Sequence, residues 1–166
     1  METERPSKSF TGQSLGDRRP GYRVERILRG YEPEQLFDLA ADVERYPEFL
    51  KWWIAARILR REANVYFTDQ ILGLGPLRVR FISKTVLYRP ERIDVTARES
   101  FRHFELSWRF EQTTDGNCRV CVAAAAALRS QLLQLVVDQV LPLAIADIIA
   151  SFEARARELY LIEMKR

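Results

Sequence analysis

A chain of 166 residues, 47% hydrophobic and 30% charged, with seven Gly and seven Pro, has the size and composition of one globular domain able to bury its own core. A net charge of +3 permits contact with phosphates or anionic lipid headgroups. It lacks the concentrated basicity expected of a dedicated nucleic-acid binder, and no DNA partner is expected.

The first 20 residues, METERPSKSFTGQSLGDRRP, lack the apolar stretch of a secretory signal. Glu2, Glu4 and Asp17 also sit badly with a mitochondrial presequence. A disordered arm over 1–20 and a domain over 21–164 are expected. GYRVERILRG then alternates as a first strand. In YEPEQLFDLAADVERYPEF the period changes: Pro33 suits a first helical position, and Leu36, Leu39, Ala40 and Val43 recur at helical spacing. Asp42 is placed to cap a second short helix, which Pro47 is expected to end or bend.

From Ile54 to Leu128 the period is close to two. The pieces are IAARILRR, NVYFTDQIL, LRVRFISKTVLYR, RIDVTARE, FRHFELSWRF and CRVCVAAAAAL, separated by turn signals such as Gly73-Leu-Gly-Pro76 and Thr114-Asp-Gly-Asn117. Short connections favour an antiparallel meander. One face reads Phe104, Leu106, Trp108, Phe110 and another Leu77, Val79, Phe81; Arg78, Arg80, His103 and Arg109 should point away. From Ser130 to about Met164 the pattern is helical, with an apolar stripe of Leu133, Val137, Val140, Leu141, Ala144, Ile148 and Phe152. Pro142 should kink this helix.

The order predicts an α+β fold: a curved antiparallel sheet of about seven strands around a long C-terminal helix, with two short helices after the first strand. A twisted sheet cannot contact a straight helix along its whole length, so a cavity is expected between them. No uninterrupted run of about 18 apolar residues is present, so no membrane-spanning segment is expected.

Catalytic chemistry finds little support. Cys118 and Cys121 form C-x-x-C, but on a strand they lie roughly 10 Å apart, too far for a disulfide that needs about 7 Å. No second Cys or His pair completes a metal site. Free thiols fit a reducing cytoplasm. The single histidine, His103, should face outward, which leaves Ser-His-Asp and Cys-His arrangements without a base. Asp69 and Asp147 are the carboxylates placed to reach the cavity; Asp147 reads equally as a solvated edge residue or the partner of an Arg. Arginines cluster at Arg18, Arg19, Arg23, Arg26 and Arg29 and again at Arg57, Arg60 and Arg61. Solvated faces explain such runs; anionic lipid or ribosomal RNA are the sharper alternatives.

Five stretches then carry a resemblance: DVERYPEFL at 42–50, TVLYRPERIDV at 85–95, the W-x-F of Trp108–Phe110, RSQLL at 129–133 and FEARARELY at 152–160. Over residues 22 to 161 the chain resembles the coenzyme-Q-binding START-like proteins of the helix-grip, polyketide-cyclase-like superfamily. The resemblance implies a non-enzymatic lipid binder handling ubiquinone for the respiratory chain, with ubiquinone as ligand and no other cofactor. Bacterial relatives are also described as ribosome-association toxins, and a cyclase or dehydratase-like enzyme is a third class. Three departures imply a reshaped cavity. Lys51 and Trp53 stand where the family usually has proline and cysteine. Glu99-Ser100-Phe101 replaces Gly-Pro-Phe, and five alanines occupy 123–127 where larger side chains are common.

The expected lipid cavity is walled by Leu77, Val79, Phe81, Phe104, Leu106 and Trp108 of the sheet and by Val137, Val140, Leu141, Ala144 and Ile148 of the last helix. DVERYPEFLKWW and the LGLGPL loop should form its portal: Pro47, Phe49, Leu50, Trp52, Trp53, Leu72 and Leu74, some sealing the core and one tryptophan lining an entrance. Tyr66, Thr68, Gln70 and Arg98 are the candidates for selecting a polar head group. Arg57, Arg60 and Arg61 form the candidate basic surface. A cytoplasmic protein with peripheral contact to an anionic inner membrane is expected.

Overall fold

The computed structural model describes residues 21–164, apart from the side chains of Leu74 and of residues 161–164. The expected arm over 1–20 lies outside the described residues. The chain order is β1 (Tyr22–Leu28), α1 (Pro33–Ala41), a 3-10 turn (Val43–Arg45), α2 (Tyr46–Phe49), β2 (Trp53–Glu62), β3 (Val65–Leu74), β4 (Leu77–Tyr88), β5 (Arg92–Ala97), β6 (Phe101–Gln112), β7 (Cys118–Leu128) and α3 (Gln131–Met164). One sheet holds all seven strands in the order β1-β7-β6-β5-β4-β3-β2, every pair antiparallel.

Pro33 opens α1, and the Glu32 backbone N–H donates to Gln35 Oε1 at 3.0 Å, satisfying a donor the helix itself cannot. Asp42 does not cap as expected: its side chain makes no capping bond, and only its carbonyl serves the turn, accepting from the Arg45 N–H at 3.1 Å. Pro47 also acts differently. It lies in the first turn of α2, where its missing N–H costs nothing, and so helps begin that helix. Tyr46, buried between them, donates its hydroxyl to the Ala40 carbonyl.

Register shifts within β2, at Trp53/Ala55 and Ile58/Arg60, and within β6, at Phe101/His103, interrupt the ladder at points where a strand bends. On β4 the alternation is plain, with Val79, Phe81, Ser83 and Thr85 buried and Arg78, Arg80 and Lys84 exposed. α3 runs through Pro142 as one continuous helix.

Two hydrophobic clusters result. The larger joins α1, α2, Trp108, Phe110 and Val122 to Ile145, Ile149, Phe152 and Ala156 of α3. The smaller comprises Val79, Phe81, Ala97, Phe101 and Leu128, with Leu133 and Val137 of α3 resting on it. The stretch Gln131–Tyr160 is long and apolar enough, by length and composition alone, to cross a membrane, although no uninterrupted apolar run marks it in the sequence. Its inward face is the helix that the sheet grips.

Candidate functional site

Between the sheet and the first half of α3 lies a cavity of about 120 Å3. β7 makes room for it. Ala124 and Ala126, from the alanine run, line the wall where larger residues would reach α3. Val79, Phe81, Phe104 and Leu106 supply the sheet wall, and Val137, Val140, Leu141, Ala144 and Ile148 the helix wall. No ionisable side chain is among the lining residues.

Two expected wall residues fall elsewhere. Leu77 begins β4 outside the lining. Trp108 belongs to a neighbouring space of about 30 Å3 that shares Trp53, Phe81, Phe104 and Leu106 with the larger one. Besides the two alanines, three lining residues went unforeseen. Phe101 has the wrong parity for the Phe104 face, but the register shift beside it turns its ring inward, 4.9 Å from Phe104 and 5.5 Å from Phe81 between centroids. Leu128 and Ile145 complete the set.

The expected portal divides in two. Leu50 is sealed in the core, Phe49 packs edge-on against Phe152, and Pro47 is exposed, so none of these lines the cavity. Trp52, Trp53 and Leu72 do line it. The side chain of Leu74 lies outside the described residues. Hydrogen bonds hold the mouth together. Trp52 Nε1 donates to Asp147 Oδ2 of α3 at 3.1 Å, and Lys51 Nζ lies 3.4 Å from Asp147 Oδ1. The Gly73 N–H donates to the Trp52 carbonyl at 2.9 Å. A Cβ on Gly73 would sit 2.9 Å from Ile54 Cδ1, so a side chain there would push the end of the Ile54 side chain aside.

The candidate polar selectors are mostly occupied. Trp53 Nε1 donates to Gln70 Oε1 at 2.7 Å, and Gln70 Nε2 donates to Thr68 Oγ1 at 2.8 Å and Ser83 Oγ at 2.9 Å. Tyr66 donates to the Ala41 carbonyl at 2.8 Å; burial pushes its pKa up to about 12. Arg98 is exposed beyond the end of β5 and is not among the cavity lining. The buried cluster therefore braces the sheet at the wall of the smaller space.

Neither candidate carboxylate enters the cavity. Asp69 points outward to Arg80, with bonds of 2.9 and 2.6 Å, and Arg80's hydrogen bond holds its carboxyl below the usual range. Asp147 stands at the mouth, and its cationic partner is Lys51 rather than an arginine. His103 faces Glu105 at 3.5 Å, outside the cavity. Both cysteines are free and buried, and burial pushes the Cys118 thiol up to about 11. Among the described residues no three His, Cys, Asp or Glu side chains group as metal ligands would.

The arginine runs singled out on the first strands do not make one patch. Arg23 and Arg26 lie on β1 and Arg57, Arg60 and Arg61 on β2, the two edges of the seven-stranded order. On β2, Arg57 shares Asp69, Arg60 pairs with Glu62 at 3.1 Å, and Arg61 lies over the Tyr66 ring.

A single grip of sheet on helix around an apolar hollow agrees with what comparison finds. Residues 30–153 match the family described as polyketide cyclase/dehydrase and lipid transport. The chain belongs to that family. It is 26% identical over 134 residues to the ribosome association toxin RatA of Pseudomonas aeruginosa, covering 80% of this chain and 93% of that one. It is 24% identical over 155 residues to the mitochondrial coenzyme Q-binding protein COQ10 homolog B of Xenopus laevis, covering 88% of this chain and 62% of that one. The solution structure of an 18 kDa protein of Caulobacter crescentus superposes with a TM-score of 0.68 at 30% identity, over 86% of this chain and 99% of that one. The helix-grip, START-like architecture expected from the motifs is the one observed.

Proposed function

We propose that this member of the family sequesters an isoprenoid lipid, ubiquinone being the best fit, and presents it at the inner face of a bacterial membrane in support of respiratory electron transport. The observation that carries the reading is the cavity wall, which is aliphatic and aromatic throughout. Each five-carbon unit buried there contributes on the order of 3–4 kcal/mol before entropy costs, at about 0.8 kcal/mol per methylene. The relative named as coenzyme Q-binding supports the same ligand class. A cyclase would need an acid or base facing its substrate. The wall offers none, so the reading is of binding without turnover.

At about 120 Å3 the hollow is smaller than the roughly 300–1,000 Å3 of a typical small-molecule site. It therefore takes part of a chain, or widens as Trp52 and the β3–β4 hairpin swing from α3. A second reading, action on ribosomes, rests on the relative named as a ribosome association toxin. It would use arginines that here are split between two sheet edges and largely engaged.

The test is native mass spectrometry with organic extraction of protein purified from its own host. Stoichiometric quinone, lost in a folded Val140→Lys variant, is the expected result. A protein that is empty and refuses added quinone, yet cosediments with ribosomes in a steeply salt-sensitive way, defeats the first reading in favour of the second.

A further inference from the structure

The first half of α3 has two apolar faces, and the cavity uses one. On the other, Leu132, Leu135, Val136, Leu143 and Ala146 recur three, four, eleven and fourteen residues after the first, which places them along one side of a helix, with the polar Gln139 between them. Leu132, Leu135 and Leu143 are 74%, 63% and 71% exposed. Single exposed leucines are ordinary, but an aligned set is not. Of the most apolar stretch of α3 only 17% is buried, so the hydrophobicity of this helix exceeds what its own core needs.

Charge beside the stripe says what would cover it. The Arg129 N–H bonds the Ser100 carbonyl at 3.4 Å, Arg129 Nε bonds the Glu99 carbonyl at 2.6 Å, and Ser100 Oγ bonds the Arg80 carbonyl at 3.1 Å. These bonds gather the head of α3, the β5–β6 turn and the outer part of β4 at one end of the molecule. Arg78, Arg98, Arg102 and Arg129 are exposed there, and none of them forms an ion pair among the described residues. The acids nearby are Glu99 and Asp138; Asp69 is taken up by Arg80 and Arg57. An apolar stripe headed by unpaired guanidinium groups complements a surface with an oily interior and anionic headgroups. Residues 1–20, whose large apolar side chains are only Met1, Phe10 and Leu15, match it poorly in composition.

We propose that the outward face of α3 from Leu132 to Ala146, with the arginines at its head, seats the protein on an anionic lipid bilayer. The helix lies along the interface with Leu132, Leu135 and Leu143 at the acyl boundary. This rests on the lipid-binding reading and deepens it, because Val137, Val140 and Leu141 of the same turns line the cavity. A chain too long for the hollow then continues into the bilayer instead of into water.

The test is flotation of the full chain with vesicles of phosphatidylcholine, with and without phosphatidylglycerol, beside size-exclusion chromatography with light scattering. The expected result is binding that needs phosphatidylglycerol and weakens with salt. Replacing Leu132, Leu135 and Leu143 together by Ser should lower it by about tenfold or more. Melting temperature and quinone retention should stay as in the parent, since none of the three lines the cavity. Charge reversal at Arg98 and Arg102 should reduce binding only to the anionic vesicles. Quinone retained without any vesicle binding, or unchanged binding by the triple variant, overturns the docking surface and leaves the cavity reading standing. Vesicle binding by a chain that never holds quinone supports the surface and defeats the cavity reading. A dimer that the triple variant dissolves, with no affinity for vesicles, assigns the stripe to a second copy and overturns the proposal.

Discussion

From Ile149 to Ala156, α3 lies on a closed core, whereas from Leu133 to Leu141 the same helix spans a gap. In the first stretch Ile149, Phe152 and Ala156 are buried, and Phe152 meets Trp108, Phe49 and Tyr46 edge-on, with centroids 4.7, 5.0 and 5.3 Å away. In the second no side chain is fully buried, and the facing strand offers Ala124 and Ala126. The partner surface makes the difference, not helix propensity. Where α1, α2 and large rings fill the concave sheet, the helix is clamped. Where the sheet curves away over alanines, it is held at its start by Gln134, which accepts from the Leu128 N–H at 2.6 Å. A fold needs one tight end to be stable and can leave the other hollow.

The largest effect should come from breaking the tight end. Phe152→Ala removes a ring from four-way aromatic packing, and such truncations cost about 3–5 kcal/mol, a large share of the roughly 5–15 kcal/mol that holds a domain folded. Thermal unfolding should move down by roughly 10 °C or more. Val137→Ala at the hollow end, which loses two methyl groups already beside empty space, should cost no more than about 1–2 kcal/mol. Equal losses in the two melts would show that both ends are packed alike.

One substitution made twice sharpens the contrast. Ala126→Leu places its branch in the cavity, so stability should hold or rise by up to about 1 kcal/mol while quinone retention falls tenfold or more. Ala156→Leu meets a wall that is already full and should destabilise by about 1–3 kcal/mol, with retention per folded molecule unchanged. Extraction combined with denaturant melts reads both. Quinone kept at the parental level by folded Ala126→Leu would mean that the lipid lies elsewhere.

Much of this contrast was legible in the residues. Period-two runs located the strands because one face of each meets the core, and the alanine run on β7 pointed to missing volume. Phe101 was missed because a register shift resets parity without leaving a mark in composition. Ile145 and Ile149 were missed because α3 is apolar nearly all round in its first half, which blurs the stripe that a period of 3.6 relies on. The same blur hid the outward leucines. FLKWW was expected to divide between sealing the core and one tryptophan at an entrance; the short α2 turns Leu50 into the core and delivers both Trp52 and Trp53 to the cavity. Asp69 illustrates the limit of proximity in sequence: it lies between Thr68 and Gln70, and strand alternation sends it to the opposite face, to Arg80.

The smallest effect belongs to the latch where the two ends meet. Asp147 accepts from the Trp52 indole and pairs with Lys51, joining the β2 approach to α3 across the mouth. Both partners are partly solvated, so the ion pair is worth about 0–1 kcal/mol and the hydrogen bond about 0.5–1.5 kcal/mol. Asp147→Ala should therefore lower stability by no more than about 2 kcal/mol. It should nonetheless speed quinone transfer to acceptor vesicles several-fold, because the bond must break each time the mouth opens. Trp52→Phe keeps the ring against the cavity and removes only the indole donor. Combined with Asp147→Ala it should add little to the transfer rate if the two act through one bond. Fully additive effects would mean that Trp52 guards the mouth by its bulk alone. Loss of the Lys51 contribution at high salt, where exposed charges are screened, separates the ion pair from the hydrogen bond.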